Sequence, residues 1–319
     1  MENYSTKKTE WLEFTYKNSG EAIRFPIGTV YGKEDGPTMV VLGGMHGSEF
    51  CGIQAAIDLY NTIDPEKLKG TVIIGMIYNM PAFLNHTAFV VPQDGKDPSG
   101  AFPGKLDGTY SEIMAHHFNE NILSKADYYI ELHGGDIPEA LTPFIFAPVT
   151  GNTAVDEKIK EMAIAYNIKD IIYAPIVQSA KSSSAFAKTA LRGIPSLLTE
   201  SGQQGILNLD DAKVHLTGIL NVLVKLGMLE GEIVNTVKRV FLERQGAIFS
   251  EAAGMWYPFV KLDQMVIKDE IIGEVRDYFG NHLADVKSPS DGKVIVIRTS
   301  PSVGVGNVIV QLYKIVGVE

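Results

Sequence analysis

One cysteine, Cys51, is all the chain carries, so no disulfide can close within it. Tryptophan is nearly as scarce, with two in 319 residues. Positive charge is also short: Lys and Arg total 28 against 38 Asp and Glu, a net charge of −10. That deficit argues against nucleic acid, which selects a basic face, and against an anionic membrane surface as partner. No apolar run approaches the roughly 20 residues of a membrane span. The opening Met1 to Glu10 is polar and has no apolar core of a signal peptide. A cytoplasmic location is therefore expected. There is no internal repeat of solenoid period and no low-complexity tract.

What remains is the composition of an ordinary globular protein, 45% hydrophobic and 21% charged. The length fits one large or two ordinary domains with a substantial core. Thr38 to Gly52 is the most informative stretch. It begins as an apolar, β-branched run, is broken by Gly43 and Gly44, and then turns to helical spacing at Ile53, Ala56, Ile57 and Tyr60. Ser48 is placed as the N-cap of that helix. His46 and Glu49 thus fall where a strand ends and a helix begins, the edge of an open α/β sheet at which ligands bind.

An imidazole and a carboxylate three residues apart can converge on one cation, and two His with one Glu form a known catalytic zinc set. A third ligand is then expected at the end of another strand. The run Ala126 to Asp136 offers His133, again followed by two glycines. A further strand end, Ile194 to Gly202, supplies Glu200, a lone carboxylate suited to act as a base.

Several pieces, in this order, resemble the succinylglutamate desuccinylase/aspartoacylase family of zinc carboxypeptidase-like deacylases. They are His46-Gly-x-Glu49, Asn79 to Phe83, Phe102-Pro103-Gly104, Leu132-His133 and Thr199-Glu200-Ser201-Gly202. The resemblance runs from about Gly28 to the C-terminus. It implies an α/β fold with a mixed, mostly parallel sheet flanked by helices. It also implies one Zn2+ per chain on His46, Glu49 and His133, with Glu200 as general base. Glu131 stands two residues before His133, where the family has Asp, and on a strand that spacing puts both on one face for an orienting role. The substrate clamp departs from the pattern: the family's Asp-Leu-Asn-Arg is here Asp97-Pro98-Ser99-Gly100, and no Arg stands shortly upstream. His86, Arg192 and Asp136 are the candidates for substrate binding in its place.

Along the chain, Trp11 to Tyr16 and Ala22 to Val30 read as strands around the turn Asn18 to Gly20, and Thr71 to Tyr78 as a buried strand. Phe83 to Lys105 reads as a long substrate-facing loop. Helices are expected at Tyr110 to Leu123, Thr153 to Tyr166 and Leu209 to Leu226, with short strands at Phe144 to Ala147 and Ile171 to Tyr173. Ser179 to Lys188, rich in small residues, reads as a cover for the site or as a flexible helix start. From Val240 onward, short β-like runs are punctuated by Gly and Pro and resemble a biotinyl/lipoyl-like barrel without its Met-Lys-Met carrier motif. Two domains are expected, 1–235 catalytic and 236–319 a smaller all-β, barrel-sandwich-like unit.

The function expected is zinc-dependent hydrolysis of the amide of a small N-acylated amino acid or amine. The alternatives are a metallocarboxypeptidase acting on peptides, or a silent metal or small-ligand binding protein that lost the clamp. A small-molecule substrate is the partner expected; homo-oligomerisation stays open.

Overall fold

The computed structural model describes residues 5–16, 19–176 and 184–319. The chain opens with a hairpin, β1 (Thr6–Thr15) and β2 (Ala22–Tyr31), then β3 (Glu34–Gly43), α1 (Phe50–Thr62) and β4 (Lys69–Gly75). It continues with α2 (Met80–Asn85), α3 (Tyr110–Asn121), β5 (Tyr128–His133), β6 (Glu139–Leu141), β7 (Phe144–Val149), α4 (Thr153–Ala165) and β8 (Asp170–Pro175). Next come α5 (Ala185–Leu191), β9 (Ser196–Glu200) and α6 (Leu209–Lys225). The remainder is β10 (Val240–Phe249), β11 (Gly254–Pro258), β12 (Met265–Val266), β13 (Ile271–Arg276), β14 (His282–Lys287), β15 (Gly292–Arg298), β16 (Ser302–Val303) and β17 (Val308–Val318).

One large mixed sheet runs β1-β2-β4-β3-β5-β9-β7-β8-β10-β17-β15-β12, with β6 on β15; β14-β13-β11-β16 form a small antiparallel sheet. Its parallel centre is β4-β3-β5-β9; β2 lies antiparallel to β4, and β7 antiparallel to β9. The central strands are buried on both faces, as their near-continuous apolar runs require. Alternation divides them between two cores. Met39, Val41, Ile130 and Leu132 pack with α1, α4 and α6 on one side. Val40, Leu42 and Tyr129 pack with Phe118 and Met114 of α3 on the other. Helix α6 stops at Gly227, which takes the left-handed φ of 70° while Met228 N–H donates to Leu223 C=O.

Two expectations need correction. Glu49 and not Ser48 occupies the N-cap of α1, and it makes no capping bond because its carboxylate is turned elsewhere. The stretch 83–105 is not all loop: α2 reaches Asn85, started by Asn79, whose Oδ1 accepts from Ala82 N–H, and a 3-10 turn covers Pro98–Ala101. Of the small-residue run from Ser179, residues up to 183 lie outside those described, as does Asn18 of the first turn; the run resumes as α5.

The C-terminal strands continue the same sheet. Val240 to Leu242 of β10 pair with Asp170 to Ile172 of β8, and β15 pairs with β6. Between them lies a buried ion pair: Lys293 Nζ is 2.5 Å from Asp170 and 2.6 Å from Asp263, with Lys293 4% and Asp170 0% exposed. Removing one partner of such a pair leaves the other charge buried and unbalanced. Lys293→Ala should therefore lower the unfolding free energy by about 3 kcal/mol, read from urea denaturation, whereas replacing Lys293 and Asp170 together by Met and Leu should cost much less.

Candidate active site

β3 delivers the chain to the edge of the sheet, and glycines turn it. Gly44 adopts φ 67°, and a Cβ on Gly47 would lie 2.2 Å from Phe83 N, so neither tolerates a side chain. His46 and Glu49 follow within that turn. β5 ends on His133 at the neighbouring strand, so the three side chains meet. His46 Nδ1 is 2.6 Å from Glu49 Oε1, and His133 Nδ1 is 3.0 Å from Glu49 Oε2. The two ring centroids stand 5.0 Å apart. Each imidazole turns its other nitrogen to a second carboxylate: His46 Nε2 to Asp97 Oδ1 at 3.4 Å, His133 Nε2 to Glu131 Oε1 at 3.2 Å.

Glu131 shares the face of His133 because the two are separated by one residue on β5. Asp97 was not singled out by the sequence; it sits 51 positions from His46, and only the fold of the 83–105 segment joins them. The charges answer one another. Burial alone would push His46 down, but Glu49 and Asp97 raise it to about 10. Burial would raise Glu49, yet the two imidazoles hold it down at about 2. Asp97, bonded to His46, is likewise drawn down to about 2 against its burial.

Glu200 ends β9 directly opposite His133 in the parallel register. Its Oε2 is buried with no hydrogen-bond partner among the described residues. Burial raises its carboxyl, Glu49 and Glu139 add to the rise, and His133 opposes it. A carboxyl held up in this way suits proton transfer near neutral pH.

The remaining candidates fall elsewhere. Asp136 is fully buried, but both oxygens are engaged, Oδ2 by Phe89 N–H at 2.7 Å and Oδ1 by Ile137 N–H at 2.6 Å. It therefore anchors the loop. Phe89, held there at a left-handed φ of 61°, packs its ring edge-on to His46 with centroids 5.7 Å apart. His86 caps α2 in the left-handed conformation, exposed, and shares no hydrogen bond, ion pair or ring contact with the cluster among the described residues. Arg192 caps α5 and donates to Asn119 Oδ1. It precedes β9, so a strand of roughly 13 Å at 3.3 Å per residue separates it from the edge that carries Glu200.

His215, on α6, was missed. It is fully buried, and its Nε2 faces the carbonyls of His133 at 2.8 Å and Ser201 at 3.3 Å. Two acceptors there require that Nε2 carry the proton. Nδ1 meets the hydroxyls of Tyr166 and Thr199, each at 3.1 Å, and Thr199 Oγ1 donates on to Glu131 C=O. Burial pulls this imidazole down to about 4, so it stays neutral. It ties together the ends of β5 and β9 from behind. A lone histidine on an apolar helix gives no sign of this in the sequence.

His46, Glu49 and His133 each offer a ligand atom, all within 4.8 Å of one another. Glu131 Oε2 is buried without a hydrogen-bond partner among the described residues, and Glu49 Oε2 has the ion-pair approach of His133 but no well-aligned hydrogen bond. Such orphaned oxygens beside two inward-facing imidazole nitrogens fit a divalent cation, and outer carboxylates on both rings complete the usual support for histidine ligands. A second trio, Glu274, His282 and Asp285, is largely exposed, and Arg276 already pairs with Glu274.

The family model for the succinylglutamate desuccinylase/aspartoacylase catalytic domain matches residues 35–226. The chain is 28% identical over 302 residues to the N-alpha-acetyl-L-2,4-diaminobutyric acid deacetylase of Halomonas elongata, covering 92% of this chain and 87% of that protein. It is similar in fold to a succinylglutamate desuccinylase/aspartoacylase from Rhodobacter sphaeroides, with TM-score 0.87, 24% identity and coverage of 99% and 98% of the two chains. The product-bound ectoine utilization protein EutE (DoeB) from Ruegeria pomeroyi gives TM-score 0.88 at 23% identity, covering 98% and 97%.

His215→Leu removes the donor to His133 and Ser201 and the acceptor for the Tyr166 hydroxyl. Unsatisfied buried groups cost about 1–3 kcal/mol each, so the variant should lose about 3 kcal/mol in urea unfolding. Its divalent-metal affinity, read by competition with a chromophoric chelator, should fall by about tenfold, whereas His215→Gln, which can still donate to the carbonyls, should recover part of both.

Proposed function

The chain belongs to the succinylglutamate desuccinylase/aspartoacylase family, and from that premise we propose that it is a zinc-dependent deacylase of small N-acylated amino acids or amines. The observation that carries the reading is the meeting of His46, Glu49 and His133 with Glu200 in register beside them. Two imidazoles and one carboxylate form a catalytic zinc donor set. When bound, the ion supplies Lewis-acid charge and lowers the pKa of its water to about 7.

The chain's own residues do the rest. Glu131 and Asp97 orient the two imidazoles through their outer nitrogens. Glu200 accepts the proton of the attacking water on its unpartnered Oε2, then returns it to the leaving nitrogen as the C–N bond breaks. The products are a carboxylate and a free amine. His215, neutral, fixes the strand ends that set the spacing of His133 and Glu200. Residues 1–235 form the catalytic unit, of zinc-carboxypeptidase-like fold, and 236–319 a β-rich rim to its cleft; the enzyme works in the cytoplasm. With Ser99 and Gly100 in place of the Asn-Arg pair, a substrate held by its free α-carboxylate is disfavoured, and a peptide-cleaving role most of all. The name of the Halomonas elongata relative makes an N-acetylated diamino acid the first compound to test.

Purified protein should hold about one zinc per chain, the complement of a single catalytic site, and release acetate from members of an N-acetylated amine and amino-acid panel. Glu200→Gln should keep the metal and lose at least a hundredfold or so in kcat, the scale of general-base catalysis. Metal without any amide cleavage in the wild type would instead identify a binding protein.

A further inference from the structure

His46 and His133 are held by different means. His133 ends a strand: β3 and β9 flank β5, and His215 Nε2 donates to its carbonyl at 2.8 Å. His46 lies in a turn between Gly44 and Gly47, where its C=O accepts from Glu49 N–H at 3.3 Å. Its side chain is also the more exposed, 12% against 3% for His133. A metal ligand carried on a turn needs its ring fixed from outside.

The side chain set against it is Phe89. Val90 N–H donates to Ala88 C=O at 2.7 Å, and Phe89 between them has a φ of 61°. An i to i+2 bond closed over a positive φ is the γ-turn of the rare, strained hand. A bulky aromatic residue is poorly suited to its centre, whereas glycine takes that backbone freely. The turn is held in place all the same. Asp136, fully buried, accepts Phe89 N–H on Oδ2 at 2.7 Å, and it stands three residues after His133. What the strained turn achieves is the placing of one ring. Phe89 meets His46 edge-on, with centroids 5.7 Å apart and planes at 83°. Besides His133, it is the one ring in contact with His46 among the described residues. Strained backbone of this kind persists where its surroundings over-determine it, and it clusters at functional sites.

We propose that Phe89 is a positioning residue for the metal centre. The γ-turn held by Asp136 sets its ring against His46 and fixes the plane of that imidazole, so that Nδ1 stays turned to Glu49 and Nε2 to Asp97. The support comes from the turn that follows His133, so the ligand on the glycine turn takes its orientation from the strand that carries the other. This rests on the metal-site part of the deacylase reading.

The test removes the ring in two ways and reads the metal, not the reaction. Phe89→Gly and Phe89→Ala both delete the ring, but only glycine relieves the backbone. In urea, metal-free Phe89→Gly should therefore be more stable than metal-free Phe89→Ala. Both variants should bind Co2+ about tenfold more weakly than wild type, the scale of lost support at a metal ligand, read by competition with a chromophoric chelator. The visible d–d spectrum of their bound Co2+ should differ from that of wild type, because the bands follow ligand geometry. Phe89→Tyr, which keeps the ring, should restore both affinity and spectrum. Variants that change in stability but keep the wild-type Co2+ affinity and spectrum overturn the proposal, since Phe89 would then serve packing alone. Phe89→Ala more stable than Phe89→Gly overturns it as well, because the turn would carry no strain. Wild type that takes up neither Co2+ nor Zn2+ overturns the metal-site reading and this proposal with it. Wild type that binds metal but cleaves no amide refutes the catalytic reading alone, and the Co2+ spectra still decide for Phe89.

Discussion

β3, β5 and β9 run parallel and end at one edge, and the site depends on that alignment. Three residues distant in sequence, Glu49, His133 and Glu200, are brought to neighbouring positions because hydrogen-bonded strands hold their ends in register. Burying two imidazoles among carboxylates is unfavourable unless every charge is answered. Here Glu49 lies between the two rings, and Asp97 and Glu131 take the outer nitrogens. The apolar faces of the strands, packed against α1, α4 and α6 on one side and α3 on the other, supply the rigidity that such a cluster needs.

The strand ends were legible because two signals coincide at each: an apolar β-branched run, then glycine. The order of elements followed from the alternation of such runs with helical spacing. What failed depended on contacts that sequence spacing does not encode. Asp136 after two glycines looks free, yet two backbone N–H groups occupy it. Arg192 is close to Glu200 in the chain, but a parallel strand carries its two ends to opposite edges of the sheet. Ser48 has the chemistry of an N-cap, but the turn needed to aim His46 and Glu49 at one point moves the cap one residue on. Asp97 and His215 are joined to the site only by long-range folding, and His215 contacts His133 across 82 positions.

The two sides of the site differ in how they are held. On the side of the ligands, the supports are hydrogen-bonded: Asp136 anchors Phe89 against His46, and His215 braces β5 and β9. On the other side, Glu200 and Glu139 each present a carboxyl with no side-chain partner among the described residues, both raised by burial. Buried polar groups are normally satisfied, so the unpartnered Glu200 oxygen beside His133 is consistent with its proposed role as a base.

The absence of the Asn-Arg pair takes a cation away from the segment that reaches His46 through Asp97. A family clamp built from arginine selects an anionic group by bidentate pairing. In this chain Ser99 and Gly100 stand in its place, in the segment whose Asp97 meets His46. Deleting an arginine alone would leave a cleft with weak affinity for everything. On the proposed reading, His46, Glu49, His133 and Glu200 act on the amide itself, so that chemistry is independent of which group holds the rest of the substrate.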